Sequence, residues 1–247
     1  MLHWKVATLA QSNPIAINVR SLIFAVDSWQ EHKSGQHYSI RLTAPDGYQA
    51  QRDYSVASAP ELAGVLEFGI ELLPDGEVSP YLHQMPVGEK VELLGPIGEH
   101  FTWNISMPGP LVLIGGGSGL VPLMSMIRHH LNHLATEDSR EVHLLVSART
   151  KGHVLYWEEL QAAREQDPNF NSTFTLTREA PADWDGSTGR IDMMMLEELY
   201  AHLRGKMPMI YVCGPTPFVE AVAGDLVELD FSSHQIRTER FGGTSPD

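Results

Sequence analysis

Residues 111–122, Leu-Val-Leu-Ile-Gly-Gly-Gly-Ser-Gly-Leu-Val-Pro, run from a buried-type apolar stretch through five small residues into a helical pattern. Gly115, Gly116, Gly117 and Gly119 let the backbone turn tightly and approach a pyrophosphate, with Ser118 set among them. The following helix offers unpaired N–H groups and a positive dipole end to phosphate. Pro122 suits a first helical turn, where a missing N–H costs little. The spacing departs from Gly-x-Gly-x-x-Gly, which would need a third glycine where Pro122 stands. Such turns also occur as plain structure, but a place at the head of the first β/α unit favours a nucleotide.

An NAD-type site usually ends its second strand in a carboxylate for the ribose 2′-hydroxyl. Here that strand ends Val146-Ser147-Ala148-Arg149-Thr150, and the third ends Leu176-Thr177-Arg178. Two guanidiniums at adjacent strand ends suit a 2′-phosphate, which arginine grips bidentately. Solvated loop charges are the bland alternative. NADPH is favoured, with NADH possible.

Arg52-Asp53-Tyr54-Ser55 combines a cation, an aromatic ring and a hydroxyl on one strand. Side chains repeat every two residues, so Arg52 and Tyr54 share a face. A ring to lie on a flat heterocycle, beside a cation for phosphate, is reasonable flavin chemistry. A cross-strand pair of ordinary kind competes with that reading. The one cysteine, Cys213, precedes Gly214-Pro215; a buried structural thiol is the default for such a residue. His129, His130 and His133 lie on the helix after the glycine turn. With no carboxylate or cysteine nearby in sequence they read as a solvated face, so no metal site is expected. Glu158 and Glu159 read as another solvated face, and Met193–Met195 as core filler behind an Asp192 cap.

The elements that must position these residues fall into two halves. Residues 1–106 read as short strands, at Ile15–Val26, Gln36–Leu42, Ala50–Ala57, Val65–Leu72 and Lys90–Leu94, separated by Pro/Gly turns. Such spacing predicts a small antiparallel Greek-key β-barrel. Residues 107–247 alternate strands at Leu111–Ile114, Val142–Ser147, Phe174–Thr177 and Met209–Cys213 with helices at Pro122–Leu134, Leu155–Gln166, Asp192–Leu203 and Pro217–Leu229. That rhythm predicts a doubly wound α/β domain around a parallel sheet. The 247 residues suffice for two such domains. A formal charge of −14 argues against nucleic acid or an anionic membrane surface as partner. One cysteine excludes an intrachain disulfide and a four-thiolate iron–sulfur cluster. No apolar run is long enough to span a bilayer and no signal peptide is evident, so a cytoplasmic monomer is expected.

Taken in order, Arg52-x-Tyr54-Ser55, Gly76-x-x-Ser79, Gly95-Pro96-x-Gly98-x-x-Phe101, the 115–122 turn, Cys213-Gly214-Pro215-x-x-Phe218 and Glu239-Arg240-Phe241-Gly242 resemble the ferredoxin–NADP+ reductase family across essentially the whole chain. The resemblance implies an FAD-binding barrel over 1–106 followed by a nicotinamide-nucleotide domain over 107–247. It places Arg52 at the FAD pyrophosphate, Tyr54 on the isoalloxazine and Ser55 near its N5 edge. Val56, Ile70, Gly76, Val78 and Ser79 complete the flavin site. It puts Cys213 beside the nicotinamide C4, with Glu239 and Phe241 closing the site. Thr177-Arg178 stands where the family's NADPH-preferring members carry Ser/Thr-Arg. Many relatives append a [2Fe–2S] domain, for which this chain has no cysteines, and others end in an aromatic residue on the flavin, where Gly242 to Asp247 stand here.

The implied activity is hydride transfer from NADPH to FAD, with Ser55, Cys213 and Glu239 as the catalytic set, and electron release to a separate acceptor protein. The acceptor is a ferredoxin or an oxygenase, haem or molybdenum component. A chain of charge −14 repels an acidic partner at long range, which favours a less acidic one. The alternative is a non-catalytic flavin- and nucleotide-binding subunit of a larger complex.

Overall fold

The computed structural model describes residues 3–134 and 140–242. Six strands form the first sheet: β1 (Lys5–Ala16), β2 (Val19–Ala25), β3 (His37–Thr43), β4 (Gln49–Ser55), β5 (Val65–Glu71) and β6 (Lys90–Ile97), with the short helix α1 (Ser79–Gln84) before β6. Their order is β4-β3-β6-β1-β2-β5, all antiparallel, and a Val56–Phe68 bridge joins the two edges into a barrel. Alternate residues point inward, so Leu9, Leu22, Phe24, Tyr38, Ile40, Phe68 and Leu93 fill the barrel, with Leu82 of α1 among them. The Tyr38 ring lies so close to Gly95 that a β-carbon there would meet it.

The stretch expected as one strand at Ile15–Val26 is a hairpin instead. Ala16 pairs with Val19 across a two-residue turn, and Asn18 takes the left-handed conformation (φ 60°). Asparagine adopts that conformation at low cost, a signal the β-branched run around it conceals. The first strand also starts earlier, at Lys5.

The second sheet contains β7 (Leu111–Gly116), β8 (Val142–Ala148), β9 (Phe170–Leu176), β10 (Ser187–Thr188), β11 (Met209–Pro215) and β12 (Ile236–Phe241). It is parallel in the order β10-β9-β8-β7-β11-β12. Helices α2 (Leu120–Asn132) and α3 (Trp157–Gln166) pack with Leu111, Leu113 and Cys213, while α4 (Met193–Leu203) and α5 (Thr216–Glu228) pack with Val112, Ile114 and Val212. This is the doubly wound arrangement. Strand β12 was readable only as a motif, because Ile-Arg-Thr-Glu-Arg-Phe lacks the apolar run of a covered strand; at the sheet edge it needs none. Asp192 caps α4, its Oδ1 accepting from Met195 N at 3.0 Å, but Met194 of the expected core triplet is 65% exposed.

Helix α2 ties the halves together. Ser125 Oγ donates to the Ser58 carbonyl (2.8 Å), and Val121 lies against Gly69 of β5. The Arg128 guanidinium meets both oxygens of Glu159 (2.6 and 2.7 Å), Glu67 of β5 (2.8 Å) and the Ala57 carbonyl (2.9 Å). Glu159 is therefore an ion-pair partner rather than part of the expected solvated face, whereas Glu158 is exposed. Among the described residues no helix is long and apolar enough to cross a membrane.

Candidate functional site

Strand β4 presents Arg52, Tyr54 and Ser55 to a cleft of about 530 Å³. Its opposite wall comes from Gly69 and Glu71 of β5 and from the turn Gly76-Glu77-Val78-Ser79. Ser79 Oγ accepts from Leu73 N (3.0 Å), which holds that turn closed. The guanidinium of Arg52 is exposed, its NH1 donating to the Gln51 carbonyl, and Tyr54 is half-buried with its phenol pushed up to about 12 by burial. A cation, a flat ring and a hydroxyl along one wall, in a volume within the usual range for organic ligands, fit the pyrophosphate and ring system of FAD.

A second cleft of about 200 Å³ opens over the carboxyl ends of β7 and β8. Gly116, Gly117 and Ser118 form its floor, Ser147 to Arg149 and Thr177 one wall, and Pro215 and Phe218 another. Gly117 is left-handed (φ 56°), with nothing within 4 Å of a β-carbon built there, so this backbone lies open to an incoming phosphate. Gly119 instead packs its backbone onto the Cys213 carbonyl. The end of β9 is held to β8 by Arg178 N donating to the Arg149 carbonyl at 3.0 Å. Both arginines are exposed, and among the described residues neither is ion-paired. Arg149 and His153 line this cleft, and burial followed by the charges of Arg149 and Arg178 lowers the His153 pKa. The two clefts share Glu71, Ser118 and Pro215, and so adjoin.

Beside their junction runs a polar row crossing both halves. Strand pairing sets His37 of β3 opposite Ser55 of β4, and Cys213 of β11 opposite Glu239 of β12. His37 Nδ1 lies 3.9 Å from Glu239 Oε1, and Cys213 Sγ lies 3.9 Å from Glu239 Oε2. Burial raises the Glu239 carboxyl to about 7. Burial and the neighbouring carboxylate push the Cys213 thiol well up, and burial lowers His37. All three changes favour neutral groups near pH 7.

Of the residues expected at the flavin, Arg52, Tyr54, Ser55, Gly76, Val78, Ser79 and Phe241 line the first cleft; Val56 and Ile70 are fully buried in the barrel core and line neither. Of those expected at the nucleotide, Gly116, Gly117, Ser118, Arg149 and Pro215 line the second cleft. Gly119, Pro122, Arg178, Cys213 and Gly214 line neither: Pro122 is buried within α2, and Gly214 packs on Phe218. His37, Glu71, His153 and Phe218 were not singled out as site residues. Phe218 stood in a motif already; His37 and Glu71 become visible only once strands are paired. The histidine face on α2 is not solvated as expected. His130 is fully buried on Asp167 (2.8 Å), and His129 is 8% exposed against Trp103 and Glu61. The tail beyond Gly242 lies outside the described residues.

Two family models match the chain. Residues 6–103 match an oxidoreductase FAD-binding domain, and residues 113–224 an oxidoreductase NAD-binding domain. The glycine betaine monooxygenase reductase subunit of Chromohalobacter salexigens is 32% identical over 219 residues, 87% of this chain and 57% of that protein. A component of the Na+-translocating NADH-quinone reductase of Pseudomonas aeruginosa is 32% identical over 202 residues, 78% of this chain and 49% of that protein. The chain thus spans about half the length of the curated relatives it matches. Among solved structures, an Amycolatopsis cytochrome P450 reductase superposes with a TM-score of 0.83 at 26% identity, covering 99% of this chain and 71% of the other.

Proposed function

Because the chain belongs to the ferredoxin–NADP+ reductase family of flavoprotein reductases, we propose that it draws electrons from NADPH and delivers them to a separate acceptor protein. The observation that carries this reading is the adjoining of the two clefts at Ser118 and Pro215. Bound FAD would supply the chemistry that accepts a hydride from the nicotinamide and returns electrons singly.

The chain's own residues bind and orient. Arg52 would neutralise the flavin pyrophosphate, Tyr54 would offer its ring to the flavin, and the open backbone at Gly117 would take the nucleotide phosphates. Ser55 and the Cys213–Glu239 pair would set the approach of the two rings, and the raised Glu239 carboxyl would lessen the fixed charge there. Arg149 and Arg178, neither ion-paired among the described residues, support with His153 a 2′-phosphate and so NADPH. NADH is the second reading, favoured by the name of the quinone-reductase relatives. Near residue 107 the chain passes from the flavin task to the nucleotide task.

The acceptor we propose is an oxygenase-type component, since a monooxygenase reductase subunit and a cytochrome P450 reductase are among the relatives. The subunit reading is separated by purifying the chain alone, loading it with FAD and assaying NADPH-dependent reduction of a small dye. Turnover supports an enzyme; a flavin-loaded chain that nicotinamide nucleotides leave oxidised makes it an inert subunit.

A further inference from the structure

Helix α2 carries His129, with His133 one turn on at its C-cap, and the loop between β4 and β5 brings Glu61, 68 residues before His129, against them. Glu61 Oε1 is hydrogen-bonded to His129 Nδ1 and lies 3.7 Å from His133 Nδ1. One donor atom from each residue lies within 4.8 Å of the other two. We propose that Glu61, His129 and His133 form a binding site for a divalent transition-metal ion of the zinc type, which clasps the barrel to helix α2.

The chemistry favours that class of ion. Two imidazoles and one carboxylate suit zinc or nickel, whereas magnesium and calcium take oxygen ligands. The imidazole centroids stand 4.7 Å apart, close enough for both rings to serve one ion once its bonds, about 2.0–2.1 Å to nitrogen, draw the ligand atoms together. The surroundings already orient the ligands. Asn132 Nδ2 donates to the second Glu61 oxygen (3.2 Å), and Trp103 packs its ring against His129 (5.4 Å between centroids). His133 Nδ1 is hydrogen-bonded to the His129 carbonyl (2.8 Å), which fixes the angle of its ring beside His129. Outer partners of this kind fix tautomer and ring angle in metal sites. The Glu61 and His133 side chains are 35% and 27% exposed, so an ion has a route in and water can complete its shell.

A second cluster of the same composition, Glu141 with His143 and His202, is a weaker candidate. There the Lys206 ammonium already sits on both Glu141 oxygens at 2.6 and 2.7 Å, and a second cation would have to displace it. All its residues also lie in the nucleotide half, so it could not join the halves.

The test is independent of the reductase reading: zinc chloride is titrated into the purified full chain, followed by calorimetry and by thermal unfolding. One ion per chain and a raised Tm are expected. His133→Gln and the more exposed Glu61→Gln should each weaken binding at least tenfold, while His202→Gln changes nothing. Metal-free unfolding of each variant shows that it is folded before zinc is added. Absence of binding at millimolar zinc overturns the proposal. So does binding lost in His202→Gln but kept in His133→Gln, and binding indifferent to Glu61→Gln overturns the clasp.

Discussion

At the scale of single residues, Glu239 gives the most direct pH signature. Its carboxyl is raised by burial to about 7 from an ordinary 4.5. The folded chain therefore holds this proton through a range where the unfolded chain has lost it. Stability contributed by the neutral form falls as pH rises between those values and stays low above them. Glu239→Gln cannot ionise, so it should gain on the wild type by on the order of 3 kcal/mol between about pH 5 and pH 8. Chemical denaturation at the two pH values measures this, and parallel stabilities would contradict the burial argument. Arg178→Ala should raise KM for NADPH and leave NADH nearly unchanged, because a charge-assisted phosphate bond is worth roughly 1.5–3 kcal/mol. Equal changes for both nucleotides would remove the 2′-phosphate assignment. Cys213 and Glu239 were legible as members of ordered motifs. His37 was not, since nothing local links it to Glu239; only pairing β3 with β4 and folding the halves together brings it within 3.9 Å.

At the scale of elements, α2 is both the wall behind the glycine turn and the strut between halves. Its Arg128 is 18% exposed and answers two carboxylates and a carbonyl. Removing the guanidinium leaves Glu67 buried with one partner fewer, and breaking such a pair costs about 3–5 kcal/mol. Arg128→Ala should therefore lower Tm markedly, whereas Glu158→Ala, on the exposed neighbour, should leave it unchanged. Thermal unfolding of both variants checks this. The helical and parallel-strand elements could be read closely because periodicity and Pro/Gly punctuation agree there. Where reading failed, a competing local rule was in force. Asn18 supplied a left-handed turn inside a β-branched run, β12 sat at an edge without apolar alternation, and the α2 histidines met partners far away in sequence. Gly119 shows the reverse case, a glycine read as phosphate-facing whose backbone in fact packs against Cys213.

At the scale of the whole molecule, two facts bear on electron flow: the clefts adjoin, and the chain carries a formal charge of −14. Long-range repulsion should slow encounter with acidic acceptors, an effect that salt screens over a Debye length of about 10 Å at 0.1 M. Turnover with a basic acceptor should accordingly fall as salt rises, and turnover with an acidic one should increase. Faster turnover with acidic acceptors at low salt would contradict the charge argument. Domain order and flavin chemistry were legible because several short motifs recur in sequence order, whereas the meeting of the clefts depends on Glu71 and Ser118 approaching from different halves. The central claim is that this meeting brings a nicotinamide to a flavin. Stopped-flow absorbance of the FAD-loaded chain mixed with NADPH or NADH tests it most directly. Rapid bleaching of the visible flavin band, faster with NADPH at equal concentration, is expected; a band that neither nucleotide bleaches would contradict the account.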